Sequence, residues 1–479
     1  MFDDTIAAIA TPLGEGGLAV VRLSGPQALA VADRCFAPVG KSSGKPSAAA
    51  THTIQYGRIL RDGQLVDEVL LAVMRAPRTY TREDVVEITC HGGLLPAKTV
   101  LDTILQSGAR LAEPGEFTKR AFLNGRLDLA QAEAVADLIH SRTELALRAA
   151  NEQLAGKLSQ RINQLRDDMI EILAHVEAHL DFPEEDIAPD VTGQLLARLE
   201  RGVAFMDELL RTANEGQILR RGIRAAIVGR PNVGKSSLLN QLLGHDRAIV
   251  SPIPGTTRDT IEETANIRGL PVVLVDTAGL REARDAIEVE GVRRSRATLE
   301  KAEFVLHVFD ASEPLTAEDE AFLAEFAAKK RILVVNKVDL PRRLKLPDKV
   351  GRDIGIAPRR AADSDESRAG SPPCQSIVEV CCLTGEGIEK LKDAIKELVW
   401  SGEIKAEMLE VMINSRHQDA LSRARTATLH TIDSLRGDKG LELVAMDLRI
   451  AVNAVGEIVG KTATEDLLDV IFSQFCIGK

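Results

Sequence analysis

An apolar run that meets a glycine-framed loop constrains this chain more than any other feature. Residues 223–228 (Ile-Arg-Ala-Ala-Ile-Val) read as a strand, and Gly229 to Ser236 follow the pattern G-x-x-x-x-G-K-S. Glycines at both ends let successive backbone N–H groups turn toward a phosphate chain. The helix that begins near Ser237 adds the partial positive charge of its N-terminus. Lys235 is placed to reach the β- and γ-phosphates, and the Ser236 hydroxyl to ligate magnesium. Leu238, Leu239, Leu242 and Leu243 give the following segment a helical apolar face. With a strand before it and a helix after it, the loop is more than a chance glycine-rich turn.

Further stretches narrow the ligand to a guanine nucleotide. Asp276-Thr277-Ala278-Gly279 ends a strand; Asp276 can hold magnesium through water, and the Gly279 N–H can sense a γ-phosphate. Asn336-Lys337-Val338-Asp339 ends a later apolar strand. The Asp339 carboxylate can accept from the guanine N1–H and 2-amino group, a donor pair that adenine lacks. Thr257, within Gly255-Thr256-Thr257-Arg258-Asp259, is placed to close over magnesium when the γ-phosphate is present. Cys381-Cys382-Leu383 occupies the remaining guanine-contact position. Hydrolysis needs a water-orienting group, and Leu280, just after the Asp-x-x-Gly stretch, is not one. Glu288 and Glu290 are the nearest candidates. Arg258 and Arg281 lie in switch segments, and neither can be assigned as an arginine finger.

At 479 residues the chain exceeds what one core serves and divides into about three domains. Aromatic residues make up 3 % of it, so its cores are built from Leu, Ile, Val and Ala. A net charge of -11 argues against wholesale electrostatic binding of nucleic acid, while a local basic surface stays open. Cys35, Cys90, Cys374, Cys381, Cys382 and Cys476 show no metal-ligand spacing and suit a reducing compartment. The acidic start lacks the basic region of a signal peptide, and no apolar run is long enough to span a bilayer. The expectation is a soluble, cytoplasmic protein without a membrane partner.

Four segments follow from texture. Residues 1–118 read as mixed α/β, with strands at Ile6–Ala10, Leu18–Leu23, Val66–Met74 and Val85–Thr89 and helices at about 26–36 and 94–107. Residues 119–218 are helical: Leu158, Ile162, Leu165, Met169, Ile172 and Val176 keep one apolar face, and Leu196, Leu199, Val203, Met206 and Leu210 a second. Residues 219–402 alternate strands and helices, which predicts a doubly wound, Ras-like P-loop domain with a parallel sheet. Residues 403–479 return to helices, at about 405–435, 440–458 and 464–473, so the α/β domain is inserted in a helical one. Residues 341–375 have no apolar period and read as a surface loop, with a tRNA-contacting basic arm as the sharper alternative.

The loop Gly229–Ser237, the segment Ser251-Pro252-Ile253-Pro254-Gly255-Thr256-Thr257-Arg258-Asp259 and the ending Phe475-Cys476-Ile477-Gly478-Lys479 together resemble the MnmE (TrmE) tRNA-modification GTPases. In the N-terminal half, Tyr80-Thr81-Arg82-Glu83-Asp84, Cys90-His91-Gly92-Gly93 and Pro114-Gly115-Glu116-Phe117-Thr118-Lys119-Arg120-Ala121-Phe122-Leu123-Asn124 agree. The resemblance implies a homodimer formed through N-terminal domains that bind a one-carbon tetrahydrofolate, 5-formyltetrahydrofolate or the methylene form. It implies a flavin-dependent partner, MnmG (GidA), with which the wobble uridine of certain tRNAs receives a carboxymethylaminomethyl or aminomethyl group. Arg22, Glu87, Arg126 and Lys479 would contact the folate. Its glutamate tail suits Arg and Lys, and its pterin donor edge suits Glu. G domains would dimerise around potassium held by Asn232, Ser251, Ile253 and Thr256, with Val233, Gly234, Pro252 and Pro254 in the same nucleotide-contacting loops. Glu288 falls at the family's water-orienting position. Cys476 stands between a part in the modification chemistry, a prenylation box that Gly478 and Lys479 fit badly, and a buried inert thiol. Three departures are visible: Cys381-Cys382-Leu383 replaces the more usual Ser-Ala-x, the loop 341–375 is longer than the family needs, and Glu113 stands where a basic residue often precedes Pro-Gly-Glu-Phe. The competing function is a GTP-switched assembly factor, which would usually append a basic RNA-binding module.

Overall fold

A computed structural model describes residues 3–40, 44–181, 189–244, 262–276, 300–346, 375–400, 406–437 and 440–479. The N-terminal part is a sheet backed by two helices. Its elements are β1 (Ile6–Ile9), β2 (Leu18–Ser24), α1 (Ala28–Cys35), β3 (Phe36–Pro38), β4 (Thr53–Arg61), β5 (Gln64–Met74), β6 (Val85–His91), α2 (Leu94–Gln106) and β7 (Arg110–Leu111). The strand order is β3-β4-β5-β6-β2-β1-β7, antiparallel except for β1 beside β7. Alternation decides which face is covered. Val21 and Leu23 of β2, Leu71 and Val73 of β5 and Val86 and Ile88 of β6 point into the layer under α1 and α2. The opposite face carries Arg22 and Glu87, which stand directly across from each other in the β2–β6 register.

Strand β4 escaped the sequence reading for a physical reason. In its first half Ile54 and Tyr56 face outward (70 % and 48 % exposed) while Gly57 points in, so the alternation there carries a misleading sign.

Eight residues of Glu116–Leu123 form α3. The helical body that follows comprises α4 (Leu129–His140), α5 (Glu144–Leu154), α6 (Lys157–Asp181), α7 (Pro189–Arg211) and α8 (Ala213–Arg221). Asp128 starts α4 with a capping box closed by Gln131. The inserted domain then runs β8 (Ile223–Val228), α9 (Lys235–Leu243), β9 (Glu262–Ile267), β10 (Leu270–Asp276), β11 (Phe304–Asp310), α10 (Ala317–Glu325), β12 (Lys330–Asn336), β13 (Gln375–Glu379) and α11 (Ile388–Val399). Its sheet has the order β13-β12-β11-β8-β10-β9, parallel throughout except for the antiparallel edge strand β9. Near-continuous burial of β11 and β12 is what a sheet covered on both faces requires.

The chain closes with α12 (Ala406–Glu410), α13 (Ser415–Arg436), α14 (Leu441–Val459) and α15 (Glu465–Phe472). The single helix expected at 405–435 is therefore two. Asn414 breaks it: its side chain accepts from the His417 N–H to cap α13 and donates to Glu133 Oε2 at 3.0 Å. Arg416 joins the same carboxylate at 2.8 Å. Both helical segments share one core, in which Leu158, Ile162 and Met169 of α6 meet Leu421 and Ala424 of α13 and Leu448 and Val455 of α14. Among the described residues no helix is long and apolar enough to cross a membrane.

A buried ionic cluster ties the N-terminal sheet to α3. Arg120 is fully buried and contacts Asp4 (2.7 Å), Glu116 (2.9 Å) and Glu83 (3.3 Å), while Arg110 reaches Glu116 at 2.7 Å. Burial pushes the Glu116 carboxyl up, but Arg110, the Glu113 N–H and Arg120 outweigh it and hold it below its ordinary 4.5. Asp4 is likewise held low by Arg110 and Arg120 against its own burial. Arg120→Met should cost about 3–5 kcal/mol, because it strands buried carboxylates; thermal unfolding of the full chain checks this. The lowered carboxyls contribute stability that is complete above pH 4.5 and fades as the pH falls below it, so acid unfolding should be steepest there and shallower in the variant.

Candidate functional site

Two polar sites emerge, one at the carboxyl ends of the parallel strands and one on the open face of the N-terminal sheet. In the first, the 229–236 loop joins β8 to α9. Asn232 and Gly234 both take positive φ (64° and 104°), which curls the loop's amides inward. Lys235 Nζ donates to the carbonyls of Gly229 and Arg230, each at 2.9 Å, so the ammonium lies across the mouth of the loop. Ser236 and Ser237 are exposed at the first turn of α9, and Val233 is buried beneath.

Asn336 is the joint of this site. At the end of β12 its Nδ2 donates to the Val233 carbonyl at 2.8 Å, and its Oδ1 accepts from the Cys382 N–H at 3.1 Å. One buried amide therefore fixes the phosphate loop and the 381–383 loop to the same strand end. A Cβ on Gly234 would strike that amide. Lys337, at φ 63°, pairs with Asp310 Oδ2 at 2.6 Å. Burial pushes the Asp310 carboxyl up, but Lys337 and Ser312 outweigh it and bring it below its ordinary value. Sequence reasoning missed Asp310; the signal was available in the acid that ends a largely apolar strand, in register with Asn336.

The 381–383 loop lies against Asp339 and α9. The Cys381 thiol lies 3.2 Å from Asp339 Oδ1 and donates to it, where the more usual serine would use a hydroxyl. Gln241 of α9 donates to the Cys382 carbonyl at 2.8 Å, and Val338 N–H to Val380 O at 3.4 Å. Leu383 is 87 % exposed. Ser251, Pro252, Ile253, Pro254, Gly255, Thr256, Thr257, Thr277, Ala278, Gly279 and Glu288 lie outside the described residues, as does the side chain of Asp276.

The second site gathers residues from distant parts of the chain. Arg22 Nε donates to Glu87 Oε1 at 2.8 Å, and Arg22 Nη1 to the Gly478 carbonyl at 3.4 Å. The Tyr80 ring lies between two guanidiniums, with Arg126 5.0 Å and Arg22 5.9 Å from its centre. Phe117 flanks Arg22 from another side at 5.7 Å. Arg126 Nη1 is held by the Thr79 carbonyl at 2.9 Å. Burial lowers the Lys479 ammonium, with Arg22 adding to the effect and Glu87 opposing it. Arg22 and Glu87 are paired, Arg126 meets Arg22 across Tyr80, and Lys479 lies near Arg22 and Glu87, so this open cleft of the sheet face gathers more cations than carboxylates. Tyr80 is an additional half-buried neighbour, and the fully buried Phe117 supports Arg22; no spacing rule singles out either. Cys476 is exposed beside this cleft, which corrects the reading of a buried thiol.

Comparison with known proteins places the chain in a family. A family described as "GTP-binding protein TrmE N-terminus" matches residues 5–126, and one described as "MnmE helical domain" matches residues 129–476. The tRNA modification GTPase MnmE of Geobacillus kaustophilus (strain HTA426) is 48% identical over 482 residues, covering 99% of this chain and 99% of its own. The protein of that name from Bacillus subtilis (strain 168) is 45% identical over 484 residues, covering 99% and 100%. With the phosphate loop and the Asn336 joint in place and relatives aligned over nearly their whole length, the chain belongs to the MnmE (TrmE) family of GTPases.

Proposed function

We propose that this GTP-hydrolysing protein acts in tRNA modification. With a flavin-dependent partner of the MnmG (GidA) kind, it would add a carboxymethylaminomethyl or aminomethyl group to C5 of the wobble uridine. The observation that carries this reading is the convergence of Arg22, Glu87, Arg126 and Lys479 in one cleft beside Cys476. A cationic site beside the half-buried Tyr80 ring suits a flat pterin with an anionic glutamate tail. The cations would take the tail, and Glu87 would accept from the pterin's donor edge. A folate bound there supplies the one-carbon unit. A pure assembly factor has no use for such a cleft.

At the G domain, Asp339 would select guanine and Lys235 would neutralise the β- and γ-phosphates. The exposed Ser236 hydroxyl, with Thr257, fits a magnesium ion bound to phosphate. Asn232, already in left-handed backbone, would offer its amide to potassium together with Ser251, Ile253 and Thr256, and Glu288 would orient the attacking water. The protein would work as a homodimer in the cytoplasm. The domain limits of this reading are 1–118, 119–218, 219–402 and 403–479.

Three measurements test it. GTP turnover should be at least roughly tenfold faster in potassium than in sodium, since a cation taking an arginine finger's place must fit its ligands; indifference to the ion removes the Asn232 assignment. Arg22→Ala should weaken 5-formyltetrahydrofolate binding roughly ten- to hundredfold through loss of a charge-assisted contact, and a wild-type protein that ignores the compound ends the folate reading. Cys381→Ala should weaken GTP binding about fivefold, near 1 kcal/mol, while Cys381→Ser keeps a donor for Asp339 and keeps affinity, both read by titration with a fluorescent GTP analogue.

A further inference from the structure

The 114–117 block, Pro-Gly-Glu-Phe, has no part in the nucleotide site and does not itself bear a charge toward the cleft except through its neighbours. Its surroundings give it a different task. Gly115 N–H points at the Cys476 carbonyl, 3.4 Å away, and Pro114 bridges to Ile477 in antiparallel fashion. Gly115 has φ +67°, and a Cβ there would lie 2.5 Å from the Phe472 carbonyl and 3.0 Å from Phe475 Cβ. Across the cleft Gly478 has φ +93°, and a Cβ on it would run into the Ile9 carbonyl, with Ala10 Cα 3.1 Å away. Backbone thus meets backbone at two points, both open only to glycine.

The rest of the block is anchored so that this contact has a firm base. Glu116 is buried and accepts from Glu113 N–H (2.9 Å), Arg110 (2.7 Å) and Arg120 (2.9 Å). Phe117 is fully buried and faces Arg22. Lys119 reaches from α3 to Asp469 of α15 at 2.6 Å, and Phe472 packs with Phe475 and Phe122.

We infer that Pro114–Phe117 is a clasp for residues 475–479, and that Gly115 and Gly478 are positioning residues that set Cys476 and Lys479 at the Arg22–Glu87 pair. The inference rests on the folate reading only for what the clasp serves. The clasp itself is a statement about docking of the 475–479 segment. Few hydrogen bonds hold that segment, so its placement depends on close approach, and one added methyl at either glycine would lift it away.

Hydrogen exchange of the full-length protein without folate, followed on peptides spanning 473–479, reads the clasp directly. Gly115→Ala should raise exchange there at least tenfold, with the β8 and α9 peptides unchanged. Gly478→Ala, which lies beyond every helix and strand, should do the same without lowering the melting temperature, and it covers the case in which Gly115→Ala fails to fold. Both variants should weaken 5-formyltetrahydrofolate binding at least fivefold while GTP turnover stays at the wild-type rate. Affinity that falls only in step with melting temperature would mark a merely structural role and overturn the positioning claim. Unchanged exchange in Gly478→Ala overturns the clasp whatever the folate result. A wild-type protein that binds no folate, with tail exchange still responding to both variants, upholds the clasp and removes only the folate reading.

Discussion

Arg120 carries a guanidinium out of water, and its surroundings are arranged to make that tolerable. A buried cation is retained only where carboxylates and carbonyls replace its hydration. Asp4 and its carbonyl, Glu83 and Glu116 do so from three separate stretches of chain. The start of β1, the loop before β6 and the first turn of α3 are thereby held to one point. Arg22 and Tyr80 on the open sheet face, and the Pro-Gly-Glu-Phe turn above them, inherit their placement from it. Ser24, bonded to Thr81 and Glu83, extends the cluster toward β2.

At the other end of the molecule a neutral group does comparable work. Asn336 satisfies both halves of its amide on the backbones of two loops, and no charge is needed because both partners are peptide groups. The phosphate loop and the 381–383 loop are therefore not independent. Asp339 is oriented by Cys381, and Lys337 is anchored on Asp310.

Between these ends lies a helical body assembled from both sides of the insertion. Gly216 of α8 packs on the backbone of Ile413, Gln153 of α5 donates to the Met412 carbonyl, and Arg220 pairs with Asp137 at 2.6 Å. The chain leaves this body through α8 directly into β8 and the phosphate loop, and it re-enters beside the same helix. Arg142, just before α5, donates to Thr264 on edge strand β9. The strand pair β9–β10, which ends at Asp276, thus rests on the helical body as well as on its own sheet.

Local pattern alone determined a good deal. The phosphate loop, the doubly wound sheet and the long helices α6 and α7 follow from glycine spacing, apolar runs and a three-four apolar period, since each is an effect within a few residues. The strand that ends at Asn336 was legible for the same reason, because its apolar run stops at the polar Asn-Lys-Val-Asp stretch. What local pattern could not reach were effects made between remote segments. Strand β4 hid because Ile54 and Tyr56 face outward, and β9 because an antiparallel edge strand tolerates the polar run Glu-Glu-Thr-Ala-Asn-Ile. The helix expected at 405–435 divided because Asn414 found a buried carboxylate in α4. Arg22 and Gly478 are separated by most of the chain, and only the packing of α15 against α3 decides that they touch. A sequence specifies which groups are present and how they repeat; the encounter of Arg22 with residues 475–479 depends on backbone approach that no spacing encodes.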